Sequence, residues 1–180
     1  MRKLWHAIED YIHSPDPLGR VTNLIALCIV GNQPIYPLYV AWALGHWNST
    51  VLYTWLTAPF FALVPWAGRR DIKAGKLLMC LAGIGNTALS VMLLGRASGV
   101  ALFFIPCALL SIILLGRWIG WLLALAALSL WPALDAISSA SLPLLFRLNA
   151  FSVGTLCGFI LLLTYRARKQ MTQENNRLGN

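Results

Sequence analysis

The stretch VTNLIALCIVGNQPIYPLYVAWAL, from Val21 to Leu44, contains no Asp, Glu, Lys or Arg. A helix of about 20 mostly apolar residues crosses a hydrocarbon core about 30 Å thick, so this stretch is long enough to span a membrane. The rest of the 180-residue chain is similar, with 58% hydrophobic and 11% charged residues, whereas a soluble domain carries about 25% charged residues. The composition predicts an integral membrane protein.

Six apolar segments of this kind are present along the chain. The predicted fold class is an all-α, polytopic membrane helix bundle of six transmembrane helices within residues 18–166. Because the fourth segment is short, we expect it to form one helical hairpin with the third through the tight turn at 95–99. The predicted spans are 21–44, 50–67, 74–94, 100–115, 118–136 and 148–165.

The N-terminal segment, MRKLWHAIEDYIHS, does not fit a cleavable signal peptide, which needs a basic start followed by an apolar core. Polar residues such as His6, Glu9 and Asp10 interrupt it. We interpret residues 1–17 as a short amphipathic helix that lies in the headgroup layer. Alternatively, the helix is solvated and packs on the cytoplasmic ends of the bundle.

The distribution of Lys and Arg predicts the orientation, since cytoplasmic segments of membrane proteins carry an excess of both residues. With both termini cytoplasmic, residues 167–180 form a short polar cytoplasmic tail and the outer turns hold only Arg96 and Arg147. The chain is then a multi-pass protein of a bacterial inner membrane. Its net charge of +8 attracts membrane lipids, and no nucleic-acid partner is needed to explain it. The predicted cytoplasmic segments hold twelve basic residues: Arg2, Lys3, Arg20, Arg69, Arg70, Lys73, Lys76, Arg117, Arg166, Arg168, Lys169 and Arg177.

Residues suited to catalysis or metal binding are few. The four cysteines lie in apolar spans without a C-x-x-C pair, so we predict small buried hydrophobes rather than metal ligands. Of three histidines, only His46 lies near a predicted outer end. The sequence therefore predicts no enzyme, no cofactor and no metal site. Trp and Tyr residues near the span ends, including Trp55 and Trp66, are predicted to be interfacial anchors.

Two polar residues inside later spans are candidates for function. Asp135 is the acidic residue within a predicted span, and a buried ionisable group in a membrane is by default a functional hypothesis. It could instead reach outer water or pair with Arg96 or Arg147. Asn86 shares a helix face with Gly83, where an amide hydrogen-bonds between helices, so a structural role is favoured for Asn86.

The opening stretch holds the remaining candidates. Pro34 and Pro37 free the carbonyls of Val30 and Gln33 and bend the helix, and neighbouring polar side chains commonly satisfy such carbonyls. Helical spacing aligns an amide, two phenols and an imidazole on one stripe. That stripe suits a small hydrophobic or amphiphilic ligand, although a kinked helix with internal hydrogen bonds is the alternative. The candidate residues are Asn32, Gln33, Tyr36, Tyr39 and His46.

Several motifs resemble a known family. The third and fourth spans read GNTALSVMLLGRASGVALFFIPCALLSIILLGR, the first contains NQPIYPLYVAW, and the last leaves the membrane as LTYRARKQMTQENN. Over residues about 18 to 170, the chain resembles the six-helix membrane input regions of bacterial class III adenylate cyclases, diguanylate cyclases and quorum-sensing histidine kinases. The resemblance implies a sensor. Because an output domain follows the last helix in those families, we expect either the membrane part of a longer receptor or a stand-alone relative that acts through a partner.

Three functions remain open on the sequence. The leading hypothesis is a sensor or regulatory module that binds its ligand near Asn32, Tyr36 and Tyr39 and signals through its last helix to a cytoplasmic partner. The second is a small transporter or a membrane subunit of a larger transport or respiratory complex. The third is a structural assembly factor, for which the small-residue pair Gly154 and Gly158 would mediate contacts within one chain or in a homodimer.

Overall fold

The computed structural model describes residues 2–133 and 143–178, and every regular element within these ranges is helical. Short 3₁₀ helices at Ser49–Thr57, Arg96–Ser98 and Val100–Phe103 precede or connect the longer helices. The α-helices are α1 (Arg2–Ile12), α2 (Pro17–Asn32), α3 (Tyr36–Leu44), α4 (Ala58–Arg70), α5 (Ile72–Leu94), α6 (Phe104–Leu115), α7 (Arg117–Ala133) and α8 (Pro143–Leu178). The predicted all-α class is confirmed for the described residues.

Two apolar clusters form the core, one towards each end of the bundle. The basal cluster comprises Val21, Ile25, Ala26, Phe61, Val64, Met79, Cys80, Leu110, Leu114, Ile160 and Ala167. The apical cluster comprises Val40, Val51, Val91, Leu94, Val100, Ala101, Phe104, Ala127 and Leu145. Because successive segments contribute to the two clusters in alternation, the chain runs back and forth between them, with α1 and the C-terminal part of α8 at the basal end.

By length and apolar composition, three of the described helical segments are able to cross a membrane, or up to four if a bent pair counts as one span. The three are Ser49–Arg70, Ile72–Leu94 and Leu144–Glu174, and two shorter apolar helical segments lie at Val100–Leu115 and Trp118–Ala127. A membrane helix bundle is therefore confirmed. The six separate spans expected from the sequence are not established by helix length.

The first predicted span differs most from expectation. Instead of one kinked helix from Val21 to Leu44, α2 and α3 are separate helices that meet at an angle of 50°. Pro34 and Pro37 explain the break, because a proline lacks the amide hydrogen and clashes with the preceding turn of a helix. The second predicted span likewise starts as a 3₁₀ helix and becomes α-helical only at Ala58.

Glycines bring neighbouring helices into close contact at two hairpins. A Cβ atom on Gly75 of α5 would lie 2.6 Å from the Cα atom of Gly68 on α4. A Cβ atom on Gly120 of α7 would lie 2.5 Å from the carbonyl oxygen of Ser111 on α6. At both places the absence of a side chain lets the two backbones touch, which is the packing mode expected of membrane helices.

The C-terminal turn of α1 packs on the bundle. The Tyr11 hydroxyl donates to the Ala62 carbonyl at 2.6 Å, and the Asn23 amide donates to the Ile12 carbonyl at 3.3 Å. Burial raises the pKa of the Tyr11 phenol, with a smaller opposing effect of the Arg69 charge, so this hydroxyl stays protonated and able to donate. Trp5, nearer the start of the helix, is 62% exposed.

The expectation that all four cysteines are buried is wrong in part. Cys80 and Cys107 are buried, Cys157 is half-buried, and Cys28 is exposed on the surface of α2. The physical reason is that a thiol is apolar enough to face lipid as well as a protein core. Apolar sequence context in a membrane span therefore does not predict burial within the chain.

Candidate ligand site at the helix break

The break between α2 and α3 leaves backbone carbonyls that need partners. The Val30 carbonyl accepts a hydrogen bond from the Gln33 amide at 3.3 Å, which tightens the last turn of α2. The Gln33 carbonyl accepts from the indole Nε1 of Trp55 at 2.8 Å. Asn32 and Gln33 side chains were the expected partners of these carbonyls, and that expectation is wrong. Trp55, interpreted from sequence only as an anchor, bonds the break instead.

Directly after the break, Tyr36 and Tyr39 pack against each other. Their ring centroids are 5.1 Å apart and the ring planes are 83° apart, an edge-to-face pair. The Tyr39 hydroxyl donates a short hydrogen bond to Oδ1 of Asn149 on α8. The Tyr36 hydroxyl is enclosed by protein and has no hydrogen-bond partner among the described residues. One phenol is therefore bonded to the last helix, while the other has no hydrogen bond of this kind to another helix among the described residues.

Asn149 connects this pair to the turn that follows α5. It is fully buried, and its Nδ2 donates to the Ser98 carbonyl at 2.8 Å. The Ser98 hydroxyl in turn donates to the Gly95 carbonyl at 2.6 Å. The adjacent Gly99 has φ of +76°, and a Cβ atom there would lie 3.0 Å from the Cα atom of Phe146. We call Tyr36, Tyr39, Asn149 and Ser98 the apical network.

Two of the predicted stripe residues, Asn32 and His46, do not join the apical network, and neither does the candidate Gln33. Asn32 is exposed, and so is His46, whose Nδ1 lies 3.1 Å from the Leu44 carbonyl. Gln33 is buried, with 8% exposure, but at the break it is the backbone carbonyl of Gln33 that accepts the hydrogen bond from Trp55. The continuous stripe from Asn32 through Tyr39 to His46 is therefore wrong. The reason is the 50° bend between α2 and α3, because Asn32 and Tyr36 share a helix face only if the helix is continuous between them.

Of the two candidates from later spans, the structure describes only Asn86. Oδ1 of Asn86 accepts a hydrogen bond from the Thr57 hydroxyl at 2.6 Å, which joins α5 to the segment before α4. The interhelical hydrogen bond predicted for Asn86 is confirmed. The structure does not describe Asp135 or the end of the fifth predicted span. It also does not describe the side chain of Arg96, a predicted partner of Asp135. In residues 2–133 and 143–178, no three His, Cys, Asp or Glu side chains are grouped to hold a metal ion.

Asn149 is the functional candidate that sequence reasoning missed. It is an amide within the apolar stretch that begins the last span, and intramembrane polar residues are expensive unless they are bonded. That signal was present in the sequence. The identity of its partners was not, because they come from residues far apart in the chain.

The apical network contains amide, hydroxyl and phenol groups that form hydrogen bonds. A free phenol donates to an acceptor oxygen or accepts from a donor, and an apolar shell surrounds it. Among the described recesses, the two formed by the start of α2, the end of α4 and the start of α5 lie at the basal end, away from Tyr36.

These features define a helical membrane protein whose first span is broken and hydrogen-bonded to its last helix. The chain belongs to the MASE7 family of membrane-associated sensor domains, whose family model matches residues 11–134. The matched range includes the helix break and both tyrosines and ends before α8. No curated protein and no solved structure matches the chain. Family membership and the apolar helices place the protein in a membrane and indicate a sensory role.

Proposed function

We propose that this protein is a sensor module that binds a small apolar or amphiphilic molecule beside Tyr36 and signals through α8 to a cytoplasmic partner. One observation carries the proposal: the Tyr36 hydroxyl is enclosed and without a hydrogen-bond partner among the described residues. A buried polar group left unpaired costs about 1–3 kcal/mol. A ligand that bonds this hydroxyl recovers that free energy, so the site favours binding of a molecule with one polar group on an apolar body.

The path from the site to the tail is continuous. Tyr36 packs on Tyr39, and Tyr39 bonds Asn149 on α8. From Pro143 to Leu178, α8 is one helix of 36 residues, which corresponds to about 54 Å at 1.5 Å per residue. Displacing Asn149 therefore moves a rigid element whose other end is the polar tail. A ligand shifts this equilibrium only by its differential affinity for the two arrangements.

We further propose six membrane crossings with both termini in the cytoplasm of a bacterium. The alternation of the chain between the basal and apical clusters supports six passes, including the shorter helices α6 and α7. The basic residues counted from the sequence gather at the basal end, which supports a cytoplasmic basal side. A reporter that is active only in the cytoplasm should be active when it is fused after Arg70, Gly116 or Asn180. An inactive fusion at any of these positions, with the reporter on the outer side, would contradict this topology.

The partner is proposed on the resemblance to cyclase and kinase input regions, which supports a nucleotide cyclase or a histidine kinase. The proposed ligand site does not depend on which partner binds the C-terminal part of α8.

The ligand site is tested with probes that differ in a single polar group. The full chain in lipid nanodiscs is exposed to 1-decanol or to decane, and hydrogen exchange is followed in peptides covering 95–104 and 144–153. We expect decanol to raise exchange at Ser98 and Asn149 in the wild type, because the Tyr39–Asn149 bond is disturbed. Decane should have little effect, since it offers no partner to the Tyr36 hydroxyl.

Matched tyrosine variants complete this test. Tyr36→Phe should abolish the decanol response, whereas Tyr53→Phe should retain it, because Tyr53 is an exposed tyrosine outside the apical network, 57% accessible. Equal responses to decanol and decane, or an unchanged response in Tyr36→Phe, would rule out this ligand site.

A further inference from the structure

A wide basal recess of about 1030 Å³ lies between the end of α1, the end of α4 and the start of α5. Four of its lining residues are basic and three are acidic, which leaves one net positive charge with histidine neutral.

Of the acidic side chains, Asp16 forms an ion pair and Asp71 caps a helix. Asp16 pairs with Lys76 at 2.5 Å, and these side chains are only 20% and 13% exposed. The Asp71 carboxylate accepts a hydrogen bond from the backbone amide of Lys73 at 2.9 Å, where it caps the start of α5. A carboxylate at a helix N-terminus is stabilised by the unpaired amides and the helix dipole.

The basic side chains Arg69, Arg70 and Lys73 remain available to a bound anion. Arg69 uses one terminal nitrogen to donate to the Asp10 backbone carbonyl at 2.5 Å and keeps its other N–H donors. Both Arg69 and Lys73 are exposed. Asp10 is exposed as well, and its carboxylate opposes an anion, as does that of Asp71. Arg69, Arg70 and Lys73 exceed these two carboxylates by one charge.

Trp66 on α4 indicates where the recess lies relative to the membrane surface. Trp66 is 52% exposed, and the guanidinium carbon of Arg70 lies 3.9 Å from the centre of its ring. Exposed tryptophans on membrane helices sit at the headgroup level, and arginine reaches towards the headgroups from the same depth. Above them, Phe60 and Leu63 expose an apolar face of α4, 52% and 47% accessible. Trp66 and this apolar face therefore lie on α4 just before Arg69 and Arg70, which line the recess.

We propose that this basal recess binds the phosphate of an anionic membrane lipid, with Arg69, Arg70 and Lys73 as its ligands and the exposed face of α4 as the path of an acyl chain. Inorganic phosphate shares the headgroup chemistry but lacks the acyl chain. The proposal is independent of the Tyr36 site, because it involves the opposite end of the bundle.

The experiment is native mass spectrometry and calorimetric titration of the full chain in neutral detergent micelles. The probes are phosphatidylglycerol, phosphatidylcholine of the same chain length, and inorganic phosphate. We expect one phosphatidylglycerol to be retained per chain, in preference to phosphatidylcholine and to free phosphate. Equal retention of the two lipids would overturn a headgroup site, and tighter binding of free phosphate than of phosphatidylglycerol would overturn the lipid assignment.

Charge-matched double variants identify the residues. A basic residue near an anionic lipid contributes about fivefold in affinity, so Arg69→Gln/Lys73→Gln should weaken phosphatidylglycerol binding about 30-fold. Arg147→Gln/Lys169→Gln removes the same charge from exposed positions of α8 and should leave binding within about twofold. If the first variant fails to fold, Lys73→Gln alone should weaken binding about fivefold. An equal loss in the α8 variant would overturn the site.

Discussion

Replacing Tyr36 by phenylalanine should stabilise the ligand-free protein. The substitution removes the enclosed hydroxyl that has no partner among the described residues and keeps the ring that packs edge-to-face on Tyr39. An unpaired buried polar group costs about 1–3 kcal/mol. Since lipid-embedded polar groups find partners in the unfolded state too, we expect the lower end, a gain of about 1 kcal/mol in the free energy of unfolding.

The same substitution at Tyr39 should have the opposite sign. Its hydroxyl donates to Asn149, and interhelical hydrogen bonds in membranes contribute about 0.6 kcal/mol on average and about 1.7 kcal/mol at most. Losing the donor also leaves Oδ1 of the fully buried Asn149 unpaired. Tyr39→Phe should therefore destabilise the protein by about 1–3 kcal/mol.

The assay is reversible unfolding in mixed micelles, with the folded fraction followed by circular dichroism. Tyr53→Phe is the control, because that side chain is exposed and its loss should change stability by less than about 0.5 kcal/mol. A destabilised Tyr36→Phe would show that this hydroxyl is bonded in the folded protein. The unpaired hydroxyl on which the proposed ligand site depends would then not exist.

Three further variants test the packing. Gly75→Ala should destabilise the protein by about 1–3 kcal/mol in the same unfolding assay, because its Cβ would lie 2.6 Å from the Gly68 backbone and overpacking forces the backbone apart. Gly154→Ala should change stability by less than about 0.5 kcal/mol, since a Cβ there meets nothing within 4 Å; lost dimers in native mass spectrometry would instead reveal a homodimer contact. Thr57→Val should cost about 0.6–2 kcal/mol by removing the hydrogen bond to Asn86, and an unchanged midpoint would contradict that bond.

The helical membrane architecture could be predicted from sequence because lipid restricts the options. In a bilayer each segment must bond its own backbone, so apolar length alone locates spanning helices. The third predicted span, 74–94, agrees with α5 at Ile72–Leu94 to within two residues at its start. Where prolines release the backbone, as between Asn32 and Tyr36, the same reasoning identifies a bend but not whether one helix becomes two.

The candidate site was only half predictable for a related reason. Tyr36 and Tyr39 lie in one turn, so their proximity follows from helical spacing. Asn149 and Trp55 join the site through contacts across the bundle, and no local pattern contains those contacts. Asn32 was placed on the stripe by assuming a continuous register, which the bend removes.

The hydrogen-bond energies of the apical network are small enough for the proposed ligand to shift the position of α8. Moving a two-state equilibrium from 1:10 to 10:1 requires about 2.7 kcal/mol of differential affinity. Bonding the Tyr36 hydroxyl supplies about 1–3 kcal/mol, whereas the Tyr39–Asn149 bond opposes movement by about 0.6–1.7 kcal/mol. A single hydrogen-bonding ligand is therefore sufficient only if the two positions of α8 are nearly balanced beforehand. In the proposed sensor, the resting arrangement already includes the unfavourable energy of the unpaired Tyr36 hydroxyl, which the ligand would remove.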